Sequence, residues 1–333
     1  MSQLTIQWRQ GGEYMVKKMS QFLAICTIGV ISWFLVQNPM IDQYIVKQNE
    51  RPAVSVSKPT DNLKKQIEAA AVKYRVNAVD AVVDRVWKKT PGYNGLQVDV
   101  EKSLKRMENK GRFQENKLVL KQVSPNIHLK DLPPAPIYRA NPNKPVVAFI
   151  VNVAWGNEYI PSMLAVLKKH NLHVSFVLEG RWVKNNPEVA KQIANAGHEL
   201  GNHSYSHPNM QQLSLQAAKK EISETNKIIK ETTGKEAAFF GPPSGSFNDS
   251  TVNAASSFGM ETVLWTVDTV DWRKPSPEVL TKRVLDNVHK GAIVLMHPTE
   301  STSKSLETLI RNIEKEYKIV TVSEAFSEKR ITR

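Results

Sequence analysis

The part of the chain after residue 145 predicts an α/β barrel, on two observations. Apolar runs alternate with amphipathic segments, and polar residues able to do chemistry stand at the ends of several different runs. Alternation of this kind implies a parallel sheet with helices outside it, either closed or open. Asn152, His203, Pro242-Pro243, Asp268 with Asp271, and His297 each follow a different expected strand. In a barrel all such ends converge on one mouth, where active sites sit. In an open sheet only the neighbours of the switch point would meet. The spread of these residues therefore favours the barrel. No glycine-rich phosphate loop follows the first strand, so a nucleotide cofactor is not expected.

Each element has its own signal. The run 146–151 is continuously apolar, as suits a strand covered on both faces. Ile160, Met163, Leu164 and Leu167 then recur on one face of a helix over 160–170. A strand follows at 174–178, a helix at 187–196 stopped by Gly197, and a strand-like run at 198–201. Ser214 can cap a long helix that Gly234 ends. Strands at 237–240, 262–267, 292–296 and 319–322 alternate with helices at 249–258, from Ser276 to Gly291, and at 305–317.

The region before the barrel reads differently. Residues 22–36 carry no charge and follow Arg9, Lys17 and Lys18, as in a secretory signal or signal anchor. No Ala-x-Ala-like cleavage site follows, which favours an uncleaved anchor over 15–40 rather than a cleaved signal peptide. The basic flank places the N-terminus in the cytoplasm and the rest outside the membrane. Residues 1–14 read as a dispensable leader, with Met15 an alternative start, and 41–58 as a polar stem. Over 59–131 a small α+β module is expected, with helices at 62–74, 79–88 and 98–107 and a strand at 117–123. The Pro-rich stretch 132–145 reads as a stiff linker and the domain boundary. The barrel is assigned 146–326 and a tail 327–333.

Composition narrows the class. The chain has 333 residues, 41% of them hydrophobic, enough for a substantial core. Its formal net charge is +13, yet no nucleic-acid motif accompanies the lysines, which scatter along helical faces. A nucleic-acid partner is not expected. The single cysteine, Cys26, lies in the apolar N-terminal run, so disulfides contribute nothing to the exported part.

Chemistry concentrates at His203-Ser-Tyr-Ser-His207. Two imidazoles four apart on a helical turn point the same way and can meet one metal ion at roughly 2.0–2.1 Å. A catalytic site needs a third protein ligand and an open position for water. A bare His-x3-His is weak evidence, because a polar turn ending at Pro208 accounts for it equally well.

The surrounding segments resemble a known family. Asn202-His-Ser-Tyr-Ser-His207 resembles the second motif of the NodB-type polysaccharide deacetylases, which supplies their two metal histidines. Phe240-Gly-Pro-Pro-Ser-Gly245 is similar to their third motif, Val267-Asp-Thr-Val-Asp-Trp272 to the fourth and Leu295-Met-His297 to the fifth. The resemblance covers about 144–326, with every motif in order. It implies a distorted (β/α)7 barrel and a hydrolase that uses a divalent metal, zinc or similar. The reaction would cleave the acetamido C–N bond of N-acetylated polymers such as peptidoglycan or chitin. His297 would be the acid and Asp271 its partner, with Trp272, Pro242, Pro243 and Leu295 lining the substrate site.

Departures from the family pattern fall on the reacting groups. The first motif should carry two aspartates, a base and a third metal ligand, where this chain has Asn152 and Val153. Gly241 stands where the third motif has arginine, and Ser244 where it has tyrosine. A general base is worth about 10²–10⁴ in rate, so impaired activity is expected. Glu158 could reach back as a substitute third ligand or base, and Asp268 could lend a carboxylate. Trp155 and Trp272 offer stacking surface for a sugar. Two readings follow: an extracytoplasmic, anchored deacetylase of impaired activity, or an inactive pseudoenzyme that binds glycan or a wall-assembly partner in cell-wall or spore-envelope maintenance. A different metal hydrolase built on Glu158 is a third, weaker idea.

Overall fold

The computed structural model describes residues 4–49 and 59–331 of the chain. Parts of the expected leader (1–3), stem (50–58) and tail (332–333) lie outside the described residues. Two compact units are formed, Met1–Asn62 and Leu63–Arg333. In the first, one helix runs Leu4–Val36 and a second Pro39–Asn49, the latter where a stem was expected. Within the first helix, Met15–Phe34 is long and apolar enough to cross a membrane, and none of it is buried.

The helix Pro59–Lys73 leads into the second unit, where β1 (Val82–Asp84), β2 (Lys88–Thr90), β3 (Gly95–Val98) and β4 (Leu120–Val123) follow. β1 pairs antiparallel with β2, and β3 with β4. The helix expected over 79–88 is instead this first hairpin. Asp84 Oδ1 accepts from the backbone N–H of Val86 and Trp87 and closes a tight turn, a local geometry that competes with helix. Val82, Val83 and Val86 are exposed rather than inward. The helix Val100–Met107 does form, capped by Asp99, and Met107 packs with Leu63, Ile67 and Val98.

The barrel strands are β5 (Val146–Val153), β6 (Ser175–Leu178), β7 (Glu199–Asn202), β8 (Val267–Asp268), β9 (Ile293–Met296) and β10 (Lys318–Val320). β5 pairs in parallel with β6 on one side and β9 on the other. β6 pairs with β7, and β8 with β9. Parallel bridges Asn202↔Phe240 and Phe240↔Thr262 close the ring between β7 and the segment leading to β8. That side of the barrel is thin because Gly241-Pro-Pro ends the run after Phe240, and prolines cannot donate to a ladder. β10 pairs only with Val146–Ala148 at the start of β5. With the Phe240 segment counted, seven strand positions make a distorted barrel, as the sequence predicts.

Alternation along β5 sorts its side chains. Val147, Phe149, Val151 and Val153 join the helix-side core with Met163, Leu167 and Leu309. Val146, Ala148 and Ile150 face the interior with Val177, Ile293 and Leu295. Asn152 continues the interior row, and β5 is buried along its whole length. Each of the Val, Ile, Leu, Phe and Met side chains contributes about 1.5–3 kcal/mol on burial.

The stretch 132–145 is not a free linker. Ile137 N–H donates to Thr262 O at 2.8 Å, Leu264 N–H to Ile137 O at 2.8 Å, and Ala140 N–H to Gly291 O at 2.8 Å. Ile137 and Ala140 are fully buried, so apolar side chains between the prolines dock the segment on the barrel. Lys89 of the module, itself buried, pairs with Glu261 of the barrel at 2.7 Å. Module and barrel therefore form one body, and the expected boundary is a seam. The barrel's final helix, Val322–Phe326, is held from below by the buried Lys144, whose ammonium donates to the carbonyls of Glu324, Ala325 and Ser327.

Two buried basic side chains, Lys144 and His198, allow stability predictions. Replacing Lys144 by Met leaves three carbonyls without their donor; we expect a loss of about 3 kcal/mol or more by urea unfolding. His198 is also buried, and burial pushes its imidazole down to about 4 from 6.5. Because the folded value is depressed, the unfolded chain takes up the proton first as pH falls. His198 thus contributes stability that is intact above about 6.5 and drains towards 4, by up to about 1.4 kcal/mol per pH unit. Its Nδ1 accepts from Val174 N–H, a role that an Asn Oδ1 can take over. Unfolding curves of His198→Asn should lose this share of the acid slope, and an unchanged slope would refute the assignment.

Candidate active site

Asn202 ends β7 and organises the loop that follows. Its Oδ1 accepts from Ser204 N–H at 2.8 Å, and its Nδ2 donates to Ile222 O and to Asn226 Oδ1. Glu221, on the helix Leu215–Thr233, accepts from the N–H groups of Tyr205 and Ser206 and from the Ser206 hydroxyl. The histidine segment is consequently not a helical turn. Ser204 and His207 take left-handed backbone, with φ of 60° and 55°. Curling the chain back on itself, rather than helical spacing, brings the rings of His203 and His207 to 5.1 Å between centroids, at 71°.

The ring of His203 is buried, and its Nδ1–H donates to Gly241 O at 2.7 Å. That bond fixes the tautomer and leaves Nε2 as a lone pair. Burial, and then the neighbouring His207, push the ring down to about 3, so it is neutral. Burial also lowers His207, which is exposed on the cleft side.

Across the mouth, Asp271 is fully buried and its carboxylate is fully engaged. It accepts from His297 N–H at 2.6 Å, His297 Nδ1–H at 2.7 Å and the Thr302 hydroxyl at 2.6 Å. The pair expected from the motifs is thus assembled, and His297 presents Nε2 outward. Trp155 lies parallel to the His297 ring, 5.8 Å between centroids. The loop carrying Trp155 turns at Gly156, where φ is 82° and a Cβ would stand 2.0 Å from Pro298 O, so no other residue fits.

These groups border a cleft of about 390 Å³. Asn152, Trp155, His203, His207, Asp268, Trp272, Leu295 and His297 all line it, as expected, together with Ser244. Trp265 lines it too and was missed, because it sits inside an expected strand whose side-chain direction the pattern 262–267 does not reveal. Pro242 and Pro243 do not line the cleft; they shape the turn beside it, with Pro243 buried. Asp268 Oδ1 accepts from Val270 N–H at 2.8 Å, which leaves its other oxygen for the cleft.

The proposed rescue by Glu158 is not supported. Its side chain is exposed and lines a neighbouring cavity of about 580 Å³, with Tyr159 and Lys274, beyond Trp155. The turn at Gly156 carries the loop out of the mouth, which is the physical reason. Val153 is fully buried in the helix-side core. Among the described residues, no group of three His, Cys, Asp or Glu side chains could hold a metal ion. Two neutral imidazoles and an amide do not make the three-ligand site that a catalytic metal requires. Asn152 itself is buried with Oδ1 unpartnered, and its amide cannot take up a proton as a general base would. The cleft thus offers an oriented imidazole at His297, a carboxylate at Asp268 and aromatic walls, while the family's base and third-ligand positions hold an amide and a buried valine.

Residues 139–263 match the polysaccharide deacetylase family model. An uncharacterized protein of Bacillus subtilis, YlxY, is 45% identical over 320 residues, covering 96% of this chain and all of that one. A peptidoglycan-N-acetylglucosamine deacetylase of Bacillus cereus is 35% identical over 157 residues, 47% of this chain and 57% of its own. The crystal structure of BA3943, a CE4 family pseudoenzyme from Bacillus anthracis, superposes with a TM-score of 0.75 at 48% identity, covering 81% of this chain and 96% of that one. A mutant of that pseudoenzyme is described as having restored enzymatic activity. Whole-length identity to one relative, the shared fold and the motif segments gathered at one barrel mouth have a single explanation: the chain belongs to the polysaccharide deacetylase family, CE4.

Proposed function

We propose that this chain is a pseudo-deacetylase that binds cell-wall glycan outside the cytoplasmic membrane without hydrolysing it efficiently. One observation carries the reading. At the end of β5 the base position is a buried asparagine, and the ligand position is a valine packed into the helix-side core. Loss of a base alone removes about 10²–10⁴ in rate, and the third ligand is lost as well. The walls suit a sugar ring: Trp155 and Trp272 are about half exposed, at 46% and 52%. Relatives named as peptidoglycan deacetylases support a wall polymer as the ligand, and a related pseudoenzyme supports inactivity. The apolar helix with its basic flank would hold the chain at the membrane. A wall-assembly protein is a further possible partner for the module at 59–131, and any zinc-like metal would bind only weakly through His203 and His207.

The decisive assay measures acetate released from peptidoglycan and from chitin oligomers by the full chain in detergent, with added divalent metal. We expect no release above background and retained glycan binding; release that disappears in a His203→Ala, His207→Ala variant would overturn the reading. Combining Asn152→Asp with Val153→Asp should raise acetate release at least about 10²-fold over the parent. The same double variant should be less stable without metal, since it buries a carboxylate in an apolar core, and regain stability when zinc is added.

Position 241 carries a separate prediction. A Cβ there would stand 3.0 Å from Val177 Cγ1, and valine is stiff about χ1. Restoring the family arginine by Gly241→Arg should therefore destabilise the chain by about 1–3 kcal/mol. Adding Val177→Ala should recover most of that loss in thermal unfolding.

A further inference from the structure

The lining of the cleft says which form of an amino sugar it prefers. The protein carries a formal charge of +13, yet among the described residues no lysine or arginine lines the cleft. What it offers is the Asp268 carboxylate, the unpartnered and buried Asn152 Oδ1, and the indoles of Trp155, Trp265 and Trp272. His203 adds another acceptor, because Gly241 O takes its Nδ1 proton. A buried acceptor without a donor is costly to leave empty. Indole faces attract a desolvated cation, as Trp272 already does with the Arg273 guanidinium 4.7 Å from its ring centroid, and a carboxylate with a free oxygen completes its charge. An ammonium suits such a lining. It brings three N–H donors and a positive charge, whereas an acetamido nitrogen brings a single neutral N–H.

We infer that the cleft binds the free-amine form of a β-1,4-linked amino-sugar polymer, that is, glycan already stripped of its acetyl groups, in preference to the N-acetylated form. This rests on the glycan-binding reading above and names the ligand of that same site. The chain would then read the deacetylated state that active family members create.

The test is titration calorimetry on the full chain in detergent, with a fully deacetylated chitosan tetramer and its fully N-acetylated counterpart. The amine must be protonated, and the salt moderate. We expect the chitosan tetramer to bind about ten-fold tighter. Asp268→Asn keeps an Oδ1 for Val270 N–H, so the turn is preserved while the charge is lost; it should bring the two affinities within about three-fold of each other. Because the protein is itself strongly cationic, non-specific attraction works against the expected result. Equal or tighter binding of the acetylated tetramer overturns the inference and leaves the glycan-binding reading standing. An amine preference that survives Asp268→Asn overturns the role given to that carboxylate. If neither tetramer binds, both readings fall.

Discussion

Everything at the mouth of this barrel depends on the parity of β5. A parallel strand covered on both faces alternates its side chains between barrel interior and helix layer, and a shift by one residue would exchange the two sets. Ile150 and Asn152 look inward, while Val151 and Val153 look outward into the helix-side core. Position 152 therefore faces the cleft whatever residue occupies it, and position 153 must be drawn away from a packed apolar layer to reach a ligand there. An aspartate at 153 is worth that distortion only when a metal ion rewards it. With two histidines and no partner carboxylate, valine is the better occupant, because it fills the core that the strand direction already points it into.

The other half of the mouth is held by hydrogen bonds that the scaffold cannot give up. Asp271 is fully buried, and three donors hold it: two from His297 at the end of β9 and one from Thr302 on the helix Glu300–Ile313. Removing the carboxylate would strand three polar groups in a dry place, at about 1–3 kcal/mol each. The turn that presents Asp271 also takes left-handed backbone at Val270 and Lys274, with φ of 53° and 52°. Non-glycine residues adopt that region at a cost, and they persist where surrounding contacts over-determine the geometry.

Legibility of the fold followed local signal strength. The continuous run of β5, the cap at Ser214 with Gly234, and the opening at Ser276 each stated one structure at short range, and each formed. Errors arose where tertiary or turn chemistry overrode the pattern. Val82, Val83 and Val86 matched a helical face, but Asp84 folded the segment into a hairpin. The prolines between 132 and 145 signalled a spacer, but Ile137 and Ala140 were pieces of the barrel wall. At the site, motif order anticipates Asn152, His203, His207 and His297, which line one cleft, and Asp271, which is bonded to His297 behind it. Glu158 was misread because its distance along the chain is short while the turn at Gly156 faces it elsewhere, and Trp265 was missed because strand parity is ambiguous in a short run.

Survival of the histidines is not by itself a sign of chemistry. His203 is bonded to the backbone of the neighbouring strand end at Gly241, and His297 completes the burial of Asp271. Both would be costly to lose in a protein that never hydrolyses anything. The positions that have changed are the ones the scaffold does not need. Asn152 has an unpartnered oxygen, Gly241 contributes only backbone groups (its N–H to Asn202 O and its carbonyl to His203), Ser244 stands at the cleft edge, and Val153 packs into the core. Stability thus keeps one set of family residues in place and is indifferent or opposed to the other. The kept residues are those whose loss would strand buried polar groups, and the changed ones are those whose side chains the fold does not use.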